Sequence, residues 1–182
     1  MICRILVLVL VVLSSVIAED QNLPIPGTDL VVIAPAEWTI SRGVPGAEFV
    51  LRGPPVDDAA LDADALSRSR PTVAVTVTPL AASDTQAGFA YRCYKDLDRL
   101  LTGFHPFDFD FAYTVAGRKW QRVPYHFHTG QLEWQQELYV TASGSMAICL
   151  TFGCDRDHYQ AHQRQFDRIV ALMSGSTPDI EP

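Results

Sequence analysis

"LEWQQELYVTASGSMAICLTF", residues 132–152, holds two alternating runs joined by Ser143-Gly144-Ser145. Trp134, Leu138 and Val140 share one side of the first run; Met146, Ile148, Leu150 and Phe152 share one side of the second. Alternation with period two is the pattern of a strand with a buried face, and small turn residues between two such runs predict a hairpin. An antiparallel meander is therefore the centre of the fold.

Upstream, "WQRVPYHFH" (120–128) places Val123, Tyr125 and Phe127 on one face and His126 and His128 on the other. Thr129-Gly130 reads as the tight turn leading out of it. "FDFDFAYTV" (107–115) sets Phe107, Phe109, Phe111, Tyr113 and Val115 against Asp108 and Asp110, with its own turn near Gly117-Arg118. Before it the period changes. Phe89, Cys93, Leu97, Leu100, Leu101 and Phe104 recur at spacings of three and four, which predicts a helix over 83–104 with one apolar face. Ser83 with Gln86 reads as a capping box and Gly103 as the stop. A second such helix is expected over 155–173, with Tyr159, Phe166, Ile169, Val170 and Met173 as its stripe and His162 beside it.

Towards the N-terminus, "LVVIAPAEWTIS" (30–41) reads as a strand region broken at Pro35, with "GAEFVLRG" (46–53) as its hairpin partner. "TVAVTVTPL" (72–80) is a further strand. Residues 54–71 read as a surface excursion with a short helical turn around 59–66. Short turns between strands and one-sided helices predict an α+β fold, an antiparallel sheet of about six strands flanked by two principal helices. One domain is expected over 30–173, with an extended lead-in at 19–29 and a polar tail at 174–182.

The first eighteen residues, "MICRILVLVLVVLSSVIA", have the order of a secretory signal: one positive charge at Arg4, an apolar run, then small residues before an expected cleavage at Glu19. The apolar stretch is shorter than the roughly 20 residues a membrane span needs. An exported protein, periplasmic or extracellular, with no stable membrane span after cleavage, is the expectation. A net charge of −7 at pH 7 leaves nothing to neutralise a phosphate backbone, so nucleic acid is not an expected partner. Cys93, Cys149 and Cys154 remain after the expected cleavage. In an oxidising compartment they allow one disulfide in any of three pairings and leave one thiol over. C-x₂-C zinc spacing is absent.

"PAEW" (35–38), "GRKWQRVPYHF" (117–127), "QELYVTASGSMAICLTF" (136–152) and "FDRIVALM" (166–173) together resemble the PsbP-like fold family. That family includes an extrinsic photosystem II protein, DcrB-type bacterial envelope proteins and a Ran-binding nuclear import factor. The resemblance spans about Leu30 to Met173 and lies in packing and turn positions. It implies a PsbP-like sandwich and a binding, assembly or chaperone-like role; it carries no functional residue across.

The chemistry-bearing residues give the rival reading. Matching apolar faces across the meander sets Asp110 opposite His126 and Asp108 opposite His128. Across Thr129-Gly130 it pairs Phe127 with Leu132, His126 with Glu133 and Arg122 with Glu137. Asp110, His126 and Glu133 then form a row that, with Asp108 and His128 beside it, could hold a divalent metal such as zinc. His158 and His162 lie four apart on the last helix, the spacing of two zinc ligands, but without the H-E-x-x-H glutamate. Cys154 with His158 has the spacing of a thiol–imidazole pair. Motifs of serine hydrolases, P-loops and dinucleotide sites are absent. The sequence thus favours a non-enzymatic binding or assembly module of the cell envelope, without cofactor and with a protein or small-molecule partner it does not identify. The alternative is a metal-dependent or thiol enzyme.

Overall fold

Pro35 divides the first expected strand in two. The computed structural model describes residues 19–57, 61–107 and 110–174; the expected signal segment, Asp108, Phe109 and the tail beyond Ser174 lie outside them. In chain order the elements begin β1 (Gln21–Pro24), β2 (Val31–Ala34), β3 (Thr39–Arg42), β4 (Phe49–Arg52), α1 (Ala63–Arg68) and β5 (Thr72–Pro79). They continue α2 (Gln86–Leu100), β6 (His105–Pro106), β7 (Asp110–Val115), β8 (Arg118–Thr129), β9 (Leu132–Ser143), β10 (Met146–Asp155) and α3 (Arg156–Ser174).

The lead-in supplies β1, which pairs antiparallel with β2 as a separate ribbon. The main sheet runs β3-β4-β5-β10-β9-β8-β6, with β7 also on β8, and its described pairings are all antiparallel. It has eight strands among the described residues rather than about six. The edge beyond β8 is shared by two short strands, β6 and β7, where the sequence reading had one.

Both faces of the sheet are covered. Tyr139 pairs with Leu150 and Val140 with Cys149, so each strand sends large side chains both ways. Towards α3 lie Trp38, Phe49, Leu51, Val73, Val75, Trp120, Tyr139, Ile148, Leu150 and Phe152, with the β1–β2 ribbon completing this core. Tyr159, Phe166, Ile169, Val170 and Met173 of α3 are each at most 1% exposed. Burying Phe166, Ile169, Val170 and Met173 contributes about 1.5–3 kcal/mol each, so this stripe fixes α3 on the sheet. Towards α2 lie Val123, Tyr125, Leu138, Val140 and Cys149, met by Phe89, Ala90, Cys93, Leu97 and Leu101.

Helix α2 starts at Thr85, whose hydroxyl accepts from the Gly88 amide, not at Ser83. Gln86 is drawn instead to the sheet, donating to the Lys119 and Val140 carbonyls. Its amide therefore does not close the expected capping box. No helix of the described residues is long and apolar enough to cross a membrane.

Candidate binding groove and the polar side chains around the sheet

Helix α2 packs over β8 and β9 and leaves the same face of β5 and β10 more open. That floor is made of small side chains, because the alternation of "TVAVTVTP" sends Val73 and Val75 into the α3 core and Ala74 and Thr76 the other way. Opposite them stand Thr151 and Cys149 of β10. The result is a groove of about 240 Å³ lined by Thr76, Cys93, Leu97, Leu100, Tyr125, Leu138, Cys149 and Thr151, with Asp96 at its polar margin. Leu100, read from sequence as part of the buried helix stripe, is 72% exposed at the groove. Leu97 and Leu101, four apart, take the inward track at the end of α2, and Leu100 falls beside it.

Cys93 of α2 and Cys149 of β10 both line this groove, where each thiol bears on the other. The neighbouring Cys93 thiol, together with burial, holds the Cys149 thiol above its ordinary range. The neighbouring Cys149 draws the Cys93 thiol down, against the effect of burial. Cys154 lies on the opposite face in the α3 core, where burial pushes its pKa up to about 12. Its thiol donates to the Asp155 carbonyl, so it is the reverse of an activated nucleophile.

The expected row of metal ligands is not assembled. The β7–β8 turn is Ala116-Gly117, with φ of 47° and 81°, not Gly117-Arg118. With the register shift between Asp110 and Tyr113, this sets Asp110 opposite Arg122. Four residues along β8, about 13 Å away, His126 is paired instead with His105 of β6. The β8–β9 turn is Gly130-Gln131, one residue later than expected. Gly130 has φ +63° whereas Gln131 does not have positive φ, as a turn with glycine first requires. His126 therefore faces Gln135, and His128 faces Glu133.

The His126 ring lies 4.8 Å from that of His105, and its Nε2 is 3.8 Å from Glu133 Oε1 on the diagonal. Glu133 is held more closely by Arg156 of α3, at 2.6 Å. Burial, followed by the Arg156 charge, lowers the His126 pKa. His128 is exposed and its ring sits over Gly103, where a Cβ would come within 2.3 Å of its Cδ2.

His158 and His162 share a helix face but have separate partners. His158 Nδ1 pairs with Asp155 Oδ1, whereas His162, 5% exposed, donates from Nε2 to the Ser69 carbonyl at 2.9 Å. His162 thus ties α3 to the segment after α1. Among the described residues, no group of three or more His, Cys, Asp or Glu side chains is arranged to hold a metal ion.

The sequence reading missed His105 and Arg156 as partners of His126 and Glu133. His105 and His126 are joined only by the pairing of a two-residue strand with β8, for which no local pattern exists.

No protein-family model matches the chain, and no curated protein shows significant similarity to it. Solved structures do. The solution structure of cyanobacterial PsbP (CyanoP) from Synechocystis sp. PCC 6803 superposes with a TM-score of 0.60 at 15% identity, covering 87% of this chain and 93% of that one. The fold is PsbP-like. A second structure with this PsbP-like fold, LpqN of Mycobacterium tuberculosis, involved in cell envelope biogenesis, matches with a TM-score of 0.59 at 16% identity over 82% of this chain and 87% of its own. PA94, a Pseudomonas aeruginosa protein of unknown function, gives 0.57 at 9% identity over 90% of this chain and 99% of its own. At these identities the PsbP-like likeness is one of fold.

Proposed function

We propose that this chain is an exported, non-enzymatic binding or assembly module of the cell envelope, which holds a protein partner through an apolar anchor in the α2 groove. The observation that carries this reading is Leu100, 72% exposed beside an apolar groove of about 240 Å³. That volume is below the roughly 300–1,000 Å³ of pockets that enclose a whole small-molecule ligand. It suits one large side chain of a partner, the arrangement in which a few anchors carry most of the binding energy. The secretory pattern of residues 1–18 and the envelope role of LpqN, a neighbour in fold, support the location. The enzyme alternative draws no support from Cys154, whose thiol burial pushes up to about 12.

The test is a photo-crosslinking residue placed at position 100 in producing cells, with exposed Arg164 on α3 as the control position. The expected result is a discrete protein adduct from position 100 alone, lost when Thr151→Phe fills the groove. Equal labelling from both positions, or an adduct indifferent to Thr151→Phe, overturns the reading.

A further inference from the structure

We propose that Cys93 and Cys149 are a redox pair, closed by an external disulfide into an intramolecular disulfide that fastens α2 to β10 at the floor of the groove. The sequence leaves three pairings open. The structure separates them by face: Cys149 and Cys154 are five residues apart on one strand, so their side chains point to opposite sides of the sheet. Cys93 comes from α2, on the side of Cys149, and the two side chains pack in the same cluster and line the same groove. Bond formation needs only an approach to about 2.05 Å between sulfurs, with no element crossing the sheet.

The pair is also reachable. Cys93 is half-buried and lines the groove, whereas Cys149 lies beneath it at 7% exposure. Access and thiolate character both favour Cys93 as the attacking sulfur. Its thiolate attacks one sulfur of a disulfide R–S–S–R, forming a mixed disulfide and releasing one R–S⁻, which takes the Cys93 proton. The Cys149 thiolate then attacks the Cys93 sulfur, releasing the second R–S⁻, which takes the Cys149 proton. Two protein thiols are oxidised to one disulfide, and one external disulfide is reduced to two thiols. The bridge joins positions far apart in sequence, so it restrains the unfolded chain as well as α2.

Purified protein is equilibrated with oxidised or reduced glutathione, alkylated, digested and mapped by mass spectrometry. In oxidised glutathione the Cys93 and Cys149 peptides are expected to be covalently linked and two hydrogens lighter than the separate pair. The link should survive Cys154→Ser and disappear with a dithiol reductant. Cys149→Ser should stop at a glutathione adduct on Cys93. The oxidised protein should melt about 5–10 °C above the reduced one. Full alkylation of both cysteines after oxidation, a wild-type chain halted at the Cys93 adduct, or a link to Cys154 would each overturn the pairing. None of these readouts depends on what occupies the groove, so a failed partner experiment and a failed pairing remain distinguishable.

Discussion

Arg122 of β8 and Glu137 of β9 are joined diagonally across the hairpin by two hydrogen bonds of 2.9 and 2.8 Å, with the carboxylate 2% exposed and the guanidinium 18%. Tyr139, which is the residue directly opposite Arg122, donates its hydroxyl to the same carboxylate at 2.8 Å. The guanidinium also lies over the Tyr113 ring, 5.7 Å from its centroid. Burial by itself would lower the Arg122 pKa, but the hydrogen bonds and charge of Glu137 more than offset this and raise it. The pair is thus a satisfied buried ion pair on the α3 side of the sheet.

Glu137→Gln removes the carboxylate charge that Arg122 and Tyr139 share. Removing one partner of a buried pair costs about 3–5 kcal/mol, whereas replacing both by apolar residues of similar volume is often neutral. Urea unfolding should show that loss for Glu137→Gln and a much smaller one for Arg122→Met with Glu137→Leu. Equal losses in the two proteins would mean that the pair matters by packing alone.

Burial lowers the pKa of both His162 and His126 from the ordinary value of 6.5. The unfolded chain therefore takes up these protons first as pH falls. Their contribution to stability is complete above about pH 6.5 and declines as pH drops through the lowered folded values. Thermal melts between about pH 7 and pH 5 should fall with pH. His162→Gln, which keeps a donor for the Ser69 carbonyl, should flatten that slope, and adding His126→Gln should flatten it further. A slope unchanged by both substitutions would place its origin elsewhere.

Thr85, not Ser83, caps α2 through the Gly88 amide. Thr85→Ala should cost about 1 kcal/mol in chemical denaturation, the ordinary value of an N-cap, and Ser83→Ala close to nothing. The reverse order would restore the capping box read from the sequence.

Ala116 is the non-glycine residue with positive φ among those described, at 47°, and it shares the β7–β8 turn with Gly117. A turn with positive φ at both central residues favours Asn-Gly, and alanine there carries a strain that asparagine tolerates better. Ala116→Asn is expected to stabilise the protein by about 0.5–1 kcal/mol. A loss of stability in the denaturation midpoint would count against this turn.

Much of the architecture was legible because it is local. The alternation in "MAICLTF", the four-residue spacing of Phe89, Cys93, Leu97 and Leu101, and the stripe ending at Met173 each predict one element from neighbouring residues, and each element is present. The candidate site was less legible. His126 and Glu133 were expected to be directly opposed, yet they meet diagonally because the turn begins at Gly130 rather than Thr129. Glycine at the first turn position was a readable signal for that turn. Asp110 was displaced by the Ala116-Gly117 turn and the irregular register before Tyr113, which no alternation records.

By itself the sequence determined the longer strands, the two long helices and their order, because period and turn chemistry act over a few residues. Only the tertiary structure decided that Cys93 meets Cys149, that His126 stacks with His105, and that Leu100 stands open beside a groove. Each depends on how α2 and its flanking strand settle on a sheet with two buried faces. That arrangement follows from packing between segments far apart in the chain, so no local pattern encodes it.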